Sequence, residues 1–478
     1  MLFNSLTFLV FFAVMLGLHR LPLAWNTRKG ILLVGSYIFY ASWNPPFVVL
    51  LWISTLVDWF VARRLDAVPD ARRSERRWLV AVSLLVNLGM LGFFKYGLFF
   101  LDNFVELVNT FGIPFEPARP GIILPIGISF YTFQTISYSL DVYFRKSKPS
   151  KSFLDYALFV TFFPQLVAGP IVRPSEFLPQ AAEERRASAD EFARGIFLLT
   201  LGLFQKVILA DFLLAPIVEK VYSGGFAHNF QNSTTGMLAF SGQVFFDLNG
   251  YTNCAIGVAA CLGFHLPRNF RFPYGAIGIA DHWRRWHMSL ATWLRDYLYF
   301  PLGGSKFGEW ITARNLMITF ILTGFWHGAA WTFVVWGGIQ GVYLVIERHL
   351  RNRFGHMRHW TRGYWPFLLA VLTYILTVVA NPFFRAPDIA MAWDTVAGLF
   401  TFASDDALGK TLKGSERAAV FLFCVFLFLQ HWRWRESTGD EILESMSRRR
   451  LVFSWLVMLF VLIIFRGGEG NAFIYFQF

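Results

Sequence analysis

Long apolar runs alternate with short polar loops from one end of the chain to the other. A hydrocarbon core of about 30 Å takes about 20 mostly apolar residues per helix. Windows of that kind recur at 2–18, 30–43, 47–62, 78–101, 121–143, 153–172, 192–222, 234–264, 312–326, 328–347, 364–381, 417–430 and 450–465. They predict an all-α integral membrane protein with about 10 to 14 membrane segments. The windows are hydrophobic all round rather than along one stripe, as buried or lipid-facing helices are. Several are short or broken by proline and glycine, as in "TFFPQLVAGPIVRP" at 161–174. Such backbone is tolerated at membrane depth only where protein or a wet cavity surrounds it, so some segments are expected to be re-entrant.

One stretch breaks the pattern: "ADHWRRWHMSLATWLRDYLYFPLGG" at 280–304. At about 100° per residue, Trp283, Trp286, Leu290, Trp293 and Tyr297 share one arc of about 80°, and Arg284, His287, Ala291 and Arg295 share the next. The spacing predicts an amphipathic helix over 280–300. A charge at the bilayer centre costs roughly 2.5–3.5 kcal/mol on insertion scales. Asp281, Arg284, Arg285, Arg295 and Asp296 together therefore exclude a lipid-facing span, and the helix belongs at an interface or inside the protein.

Composition agrees with the membrane class: 55% of residues are hydrophobic against 15% charged. The net charge of +12 would point to nucleic acid in a soluble protein. Here no basic face with interleaved aromatics forms a groove, and nucleic acid is excluded as a partner. The basic residues instead collect in loops: Arg20, Arg28 and Lys29, then Arg63, Arg64, Arg72, Arg73, Arg76 and Arg77, with none in the intervening "WNPP". By the positive-inside tendency the N-terminus faces away from the cytoplasm. Arg145, Lys146, Lys148, Lys151 and Arg448 to Arg450 would be cytoplasmic, which leaves the tail "GGEGNAFIYFQF" outside. The first apolar stretch follows "MLFN" without a basic n-region or cleavage site, so it is expected to stay as the first helix.

No internal repeat or long linker is visible, and 1–478 reads as a single integral domain. The polar interruptions at 102–121, 173–191 and 403–416 are each too short to fold alone. Any soluble catalytic module must come from another chain. Cys254, Cys261 and Cys424 lie in apolar runs without metal-ligand spacing and read as small core residues; no metal site is expected.

The second polar signal is His327, in the uncharged run "ILTGFWHGAAWTFVVWGG". Desolvation favours the neutral imidazole, which can accept a proton, and an intramembrane ionisable group is a functional candidate by default. The plainer alternative is a histidine that bonds a neighbouring helix, since Gly324 and Gly328 flank it at small-xxx-small spacing. Arg284, Arg285 and Arg295 have two readings: anchoring at the membrane boundary, or binding the phosphates of a nucleotide-bearing donor. His282 reads as structural, and Asp281 and Asp296 as counter-ions of the arginines.

"WRRWHMSLATWLRDYLYFPLGG", "RNL" about 20 residues later, and then "GFWHGAAWTFVVWG" resemble the membrane-bound O-acyltransferase family. Within it they resemble the bacterial branch that holds the alginate O-acetylation membrane subunit and the teichoic-acid D-alanylation membrane protein. Supporting stretches are "LPIGISFYTFQTISYSLDVY" at 124–143, "FFPQLVAGPIVRPSEFLPQ" at 162–180, "FFDLNGYTNCAIGVAACLGFHLPRNFRFPY" at 245–274 and the terminal "FIYFQF". The likeness covers nearly the whole chain and is densest at 120–345. Two places depart from the alginate-type pattern: "LNGYTNCAIG", where Asn253 replaces an acidic residue, and His282, which replaces an aromatic.

The resemblance implies a multispanning helical bundle with re-entrant and interfacial helices around a central tunnel. His327 matches the family's essential intramembrane histidine and His287 the second histidine of the bacterial branch. Trp326, Arg314 and Asn315 fall in supporting positions of the motif. The implied activity is O-acyl transfer, with acetyl-CoA as donor substrate, Arg284, Arg285 and Arg295 at its nucleotide end, and no bound cofactor. It further implies the bacterial inner membrane, a periplasmic partner of the SGNH or a similar esterase fold, and an exopolysaccharide or other envelope glycan as acceptor. D-alanyl transfer from a carrier thioester, a transporter, and a non-enzymatic scaffold of a polysaccharide export complex are the alternatives.

Overall fold

A computed structural model describes residues 1–355, 362–402 and 410–465. The outside placement expected for the C-terminal tail, and half of the loop at 403–416, concern residues outside the described ones. Regular structure among the described residues is helical, apart from one isolated bridge between Phe226 and Lys410. Helices close their own backbone hydrogen bonds, which is the condition for crossing lipid.

Among the described residues, four helical stretches are both long and apolar enough to cross a bilayer: Pro45–Ala67, Arg73–Thr110, Ala189–Tyr222 and Trp365–Arg385. They coincide with the predicted windows at 47–62, 78–101, 192–222 and 364–381. The other windows are shorter, broken or carry polar positions. The window at 121–143 yields a helix only from Ile128 to Tyr143, because Pro125 lacks the amide hydrogen a helix needs and Gly127 takes the left-handed conformation just before it. The window at 153–172 divides into Phe153–Thr161, Phe163–Leu166 and irregular chain. All of 155–172 is buried, and the Phe163 amide freed by the break donates to Ser36 Oγ at 3.1 Å. Protein thus supplies the partner that lipid could not.

The chain divides into two compact units, Met1–Leu199 with Cys254–Pro267, and Thr200–Asn253 with Arg268–Phe478. In the first unit, helices Val48–Ala67, Arg73–Leu91 and Ile128–Tyr143 pack around a buried carboxylate. Asp58 accepts from the hydroxyls of Ser83 and Ser139 and from Asn87 Nδ2, the last at 2.6 Å. Asn87 Oδ1 in turn accepts from Ser54 Oγ at 2.6 Å and Thr135 Oγ1 at 3.1 Å. Three neutral donors satisfy an acid that would otherwise be costly inside a bundle.

The sequence places Arg28 and Lys29 in a basic turn, but both are buried in helix Trp25–Ala41. Arg28 is paired with Glu184 and Lys29 with Asp155. They brace the fold, because a buried cation is retained only with a partner. All three cysteines are buried thiols, as their apolar setting predicts.

In the second unit, helices Glu309–His327 and Trp331–Phe354 form a hairpin whose backbones touch. A Cβ on Gly324 would lie 2.1 Å from the Phe333 carbonyl oxygen, and one on Gly337 2.2 Å from that of Phe320. This contact sets the depth at which His327 ends its helix.

Candidate functional site

His327 is the last residue of helix Glu309–His327 and is 2% exposed. Gly328 follows in extended conformation, and a Cβ there would meet the Phe333 ring at 2.1 Å, so the chain turns away from the helix axis in contact with an aromatic face. Three rings meet the imidazole edge to face: Trp326 at 5.0 Å, Trp336 at 5.3 Å and Phe384 at 5.1 Å between centroids. The helix supplies the position and the rings supply the dry wall.

Beside His327 lies a cavity of about 30 Å³. That is room for a water molecule or a small group. Polar side chains on its wall are His327, His282, Gln340, Asn381, Thr377 and Tyr274, set among Trp283 and Trp336. Among the described residues no carboxylate lines it.

The amphipathic helix expected over 280–300 is broken. Helix Ile279–Trp283 ends, and helix Met288–Leu294 begins after His287, which takes the left-handed conformation with φ 42 and ψ 52. That conformation costs a non-glycine residue roughly 1–2 kcal/mol and persists only where its surroundings impose it. They do so here from several directions. The amides of Met288 and Ser289 donate to the Asn269 carbonyl at 2.9 Å and to Asn269 Oδ1 at 3.1 Å. The Arg271 amide donates to the Arg285 carbonyl at 2.9 Å. Arg285 itself holds Asp281 Oδ2 at 2.9 Å and the carbonyl of Arg435. The result buries the His287 ring, 3% exposed, against Trp326 at 6.3 Å and Phe270 at 6.3 Å. Trp326 therefore contacts both histidines, while His287 is not among the residues that line the cavity.

The three arginines separate. The Arg285 side chain is 11% exposed and bound to Asp281, whereas those of Arg284 and Arg295 are 66% and 54% exposed. Arg284 stands 3.5 Å from Asp281 and Arg295 2.8 Å from Asp296, so both aspartates do sit against arginines. Arg314 and Asn315 are bonded to each other, and Asn315 Nδ2 holds the carbonyls of Leu302 and Gly304 at 3.1 and 3.0 Å. Twelve residues of helix, about 18 Å, separate Asn315 from His327. This pair fastens the 302–304 loop.

His282 bonds the Pro273 carbonyl through Nδ1 at 3.2 Å and stacks on Trp286 at 5.6 Å, yet it also faces the cavity. Sequence reasoning did not single out Gln340 or Asn381. Gln340 is the one amide in the apolar run "WTFVVWGGIQGVYLVI", the same kind of signal that marks His327. Asn381, before Pro382, reads as an ordinary turn residue.

The sequence profile of the membrane-bound O-acyltransferase family matches residues 54–384. The chain is 38% identical over 415 residues to the probable alginate O-acetylase AlgI of Pseudomonas aeruginosa, covering 84% of this chain and 76% of the relative. It is 37% identical over 399 residues to a peptidoglycan O-acetyltransferase of Helicobacter pylori, covering 77% and 73%. A teichoic acid D-alanyltransferase of Bacillus subtilis is 28% identical over 284 residues, covering 54% and 68%.

Proposed function

The chain belongs to the membrane-bound O-acyltransferase family, a multi-pass integral membrane O-acyltransferase, and on that premise we propose that it O-acetylates a cell-envelope glycan with His327 as general base. The donor in this reading is acetyl-CoA at the cytoplasmic side of a bacterial inner membrane, with both termini periplasmic. The acceptor is reached through a periplasmic transferase of SGNH or similar fold, because the described chain carries no soluble module for that step. The supporting names are those of the O-acetylating relatives, one of alginate and one of peptidoglycan.

The observation that carries the reading is the setting of His327: a buried imidazole at a helix end, caged by three rings, beside a cavity of about 30 Å³. An alcohol is a weak nucleophile until a positioned base takes its proton, a contribution of about 10²–10⁴-fold. His327 takes that proton as the hydroxyl oxygen attacks the thioester carbonyl, then returns it to the departing thiolate. The aromatic wall excludes water, which would otherwise hydrolyse the donor. His287 supports this wall through Trp326 and orients the reactants. Arg284 and Arg295, being exposed, hold the donor's phosphates, while Arg285 keeps the turn that carries His287.

An acetyl group fits a small cavity, whereas a D-alanyl group brings an ammonium that no lining carboxylate would pair. The test is transfer of label from [¹⁴C]acetyl-CoA by the full chain in lipid, with envelope fraction as the source of partner and acceptor. Label enters glycan with wild type and not with His327→Ala of unchanged elution volume. Equal labelling by that variant removes His327 as the base, and no thioester turnover by wild type returns the transporter and scaffold readings to the front.

A further inference from the structure

Gln340 is 2% exposed and lies on helix Trp331–Phe354, one turn after Trp336. Its Oε1 accepts the indole N–H of Trp283 at 3.3 Å. An indole nitrogen can only donate, so this contact fixes the amide's orientation and leaves Nε2 with its two hydrogens. Among the described residues no acceptor takes them, and the side chain lines the cavity that His327 lines. A donor in that state, on a side chain that faces a cavity, is completed by water or by a ligand.

The two groups share one support. Trp283 meets Trp336 edge to face at 5.9 Å, and Trp336 meets His327 at 5.3 Å. Trp283 thus orients the amide, and Trp336 packs against both Trp283 and the imidazole. A preorganised N–H donor beside a proton acceptor in a dry cavity is what acyl transfer requires, because charge builds on the carbonyl oxygen while a proton leaves the nucleophile.

We propose that Gln340 is a catalytic residue whose Nε2–H, aimed by Trp283, binds the carbonyl oxygen of the acyl thioester and holds the negative charge that develops there. This rests on the acetyl-CoA reaction at His327 proposed above. The alcohol oxygen forms the new C–O bond and its proton passes to His327. The carbonyl oxygen carries the charge against Gln340. The C–S bond then breaks, the carbonyl reforms, and His327 returns the proton to the thiolate. One thioester and one alcohol become one ester and one thiol.

The experiment is isotope-edited infrared spectroscopy of [1-¹³C]acetyl-CoA bound to the full chain in nanodiscs, alongside thiol release in the presence of envelope fraction. In wild type the ¹³C=O stretch moves to lower wavenumber than in free donor. Gln340→Met, which keeps the length and loses the donor, returns the stretch to its free position and lowers turnover by about 10²–10³-fold, with donor affinity changed far less. Trp283→Phe removes the indole N–H together with the five-membered ring that carries it and gives an intermediate stretch, which keeps the test open if Gln340→Met fails to fold. His327→Ala loses turnover and retains the stretch. A full shift in both Gln340→Met and Trp283→Phe overturns the proposal and leaves the Trp283 contact as a helix brace. A wild type that binds no acetyl-CoA overturns the donor reading and this proposal with it.

Discussion

Gly324 and Gly337 face each other across the hairpin whose first helix ends in His327, and neither has room for a methyl group: the nearest carbonyl oxygens would be 2.1 and 2.2 Å from it. Gly324→Ala or Gly337→Ala must push the helices apart, at a cost of about 1–3 kcal/mol typical of overpacking. Both variants should unfold at lower temperature in detergent and lose acyl transfer. Gly338, where a Cβ meets nothing within 4 Å, is the control. Gly338→Ala should match or exceed wild type in thermal stability.

The left-handed backbone of His287 separates two roles of that residue. His287→Gly removes the ring and relieves the strain, whereas His287→Ala removes the ring and keeps the strain. Denaturant unfolding should therefore rank the glycine variant about 1 kcal/mol above the alanine variant. Both should lose transfer activity to the same extent, since the ring against Trp326 is what both lack.

A base works only unprotonated. Replacing it by a side chain of similar size that cannot take a proton should lower kcat by about 10²–10⁴-fold, the contribution of a positioned base. His327→Gln should show that loss in kcat with little change in KM.

Exposed and buried arginines should fail differently. Arg284→Ala and Arg295→Ala should raise the KM for acetyl-CoA about 3- to 10-fold each, an effect that shrinks at high salt because it is an exposed charge contact. Arg285→Ala takes from Asp281 its nearer cation, leaving the exposed Arg284 at 3.5 Å and the Ile277 amide, and frees the Arg435 carbonyl, so it should cost about 1–3 kcal/mol in unfolding measurements. Its loss of activity should follow its loss of fold.

Hydropathy finds the helices that cross lipid because a span needs only length and apolarity, and the four that meet both conditions stand where the windows place them. The broken segment at 161–174 is legible for the same reason: proline and glycine at membrane depth demand a protein shell, and that segment is buried from 161 to 172. His327 is legible as a polar side chain in an apolar run. The break before it in sequence is not. His287 turns left-handed because Asn269 binds the amides that follow it and Arg435 holds Arg285, and neither partner is near in sequence. Glycine spacing showed that one face of the His327 helix is small, but not that Gly337, rather than Gly328, is what Gly324 meets across the hairpin. Gln340 was hidden differently: its signal was visible, and only the indole of Trp283 turns it from a tolerated amide into an aimed donor.

A void of about 30 Å³ walled by aromatic rings has a bearing on bioenergetics. Ions and protons leak across membranes along connected files of water, and a space that holds about one water holds no file. An enzyme whose thioester and hydroxyl come from opposite compartments has to let them meet without short-circuiting the proton gradient. In the reaction proposed for His327, the meeting place itself would be the insulation. Any variant that widens it, such as Trp336→Ala, should reveal itself first as proton leak in sealed vesicles.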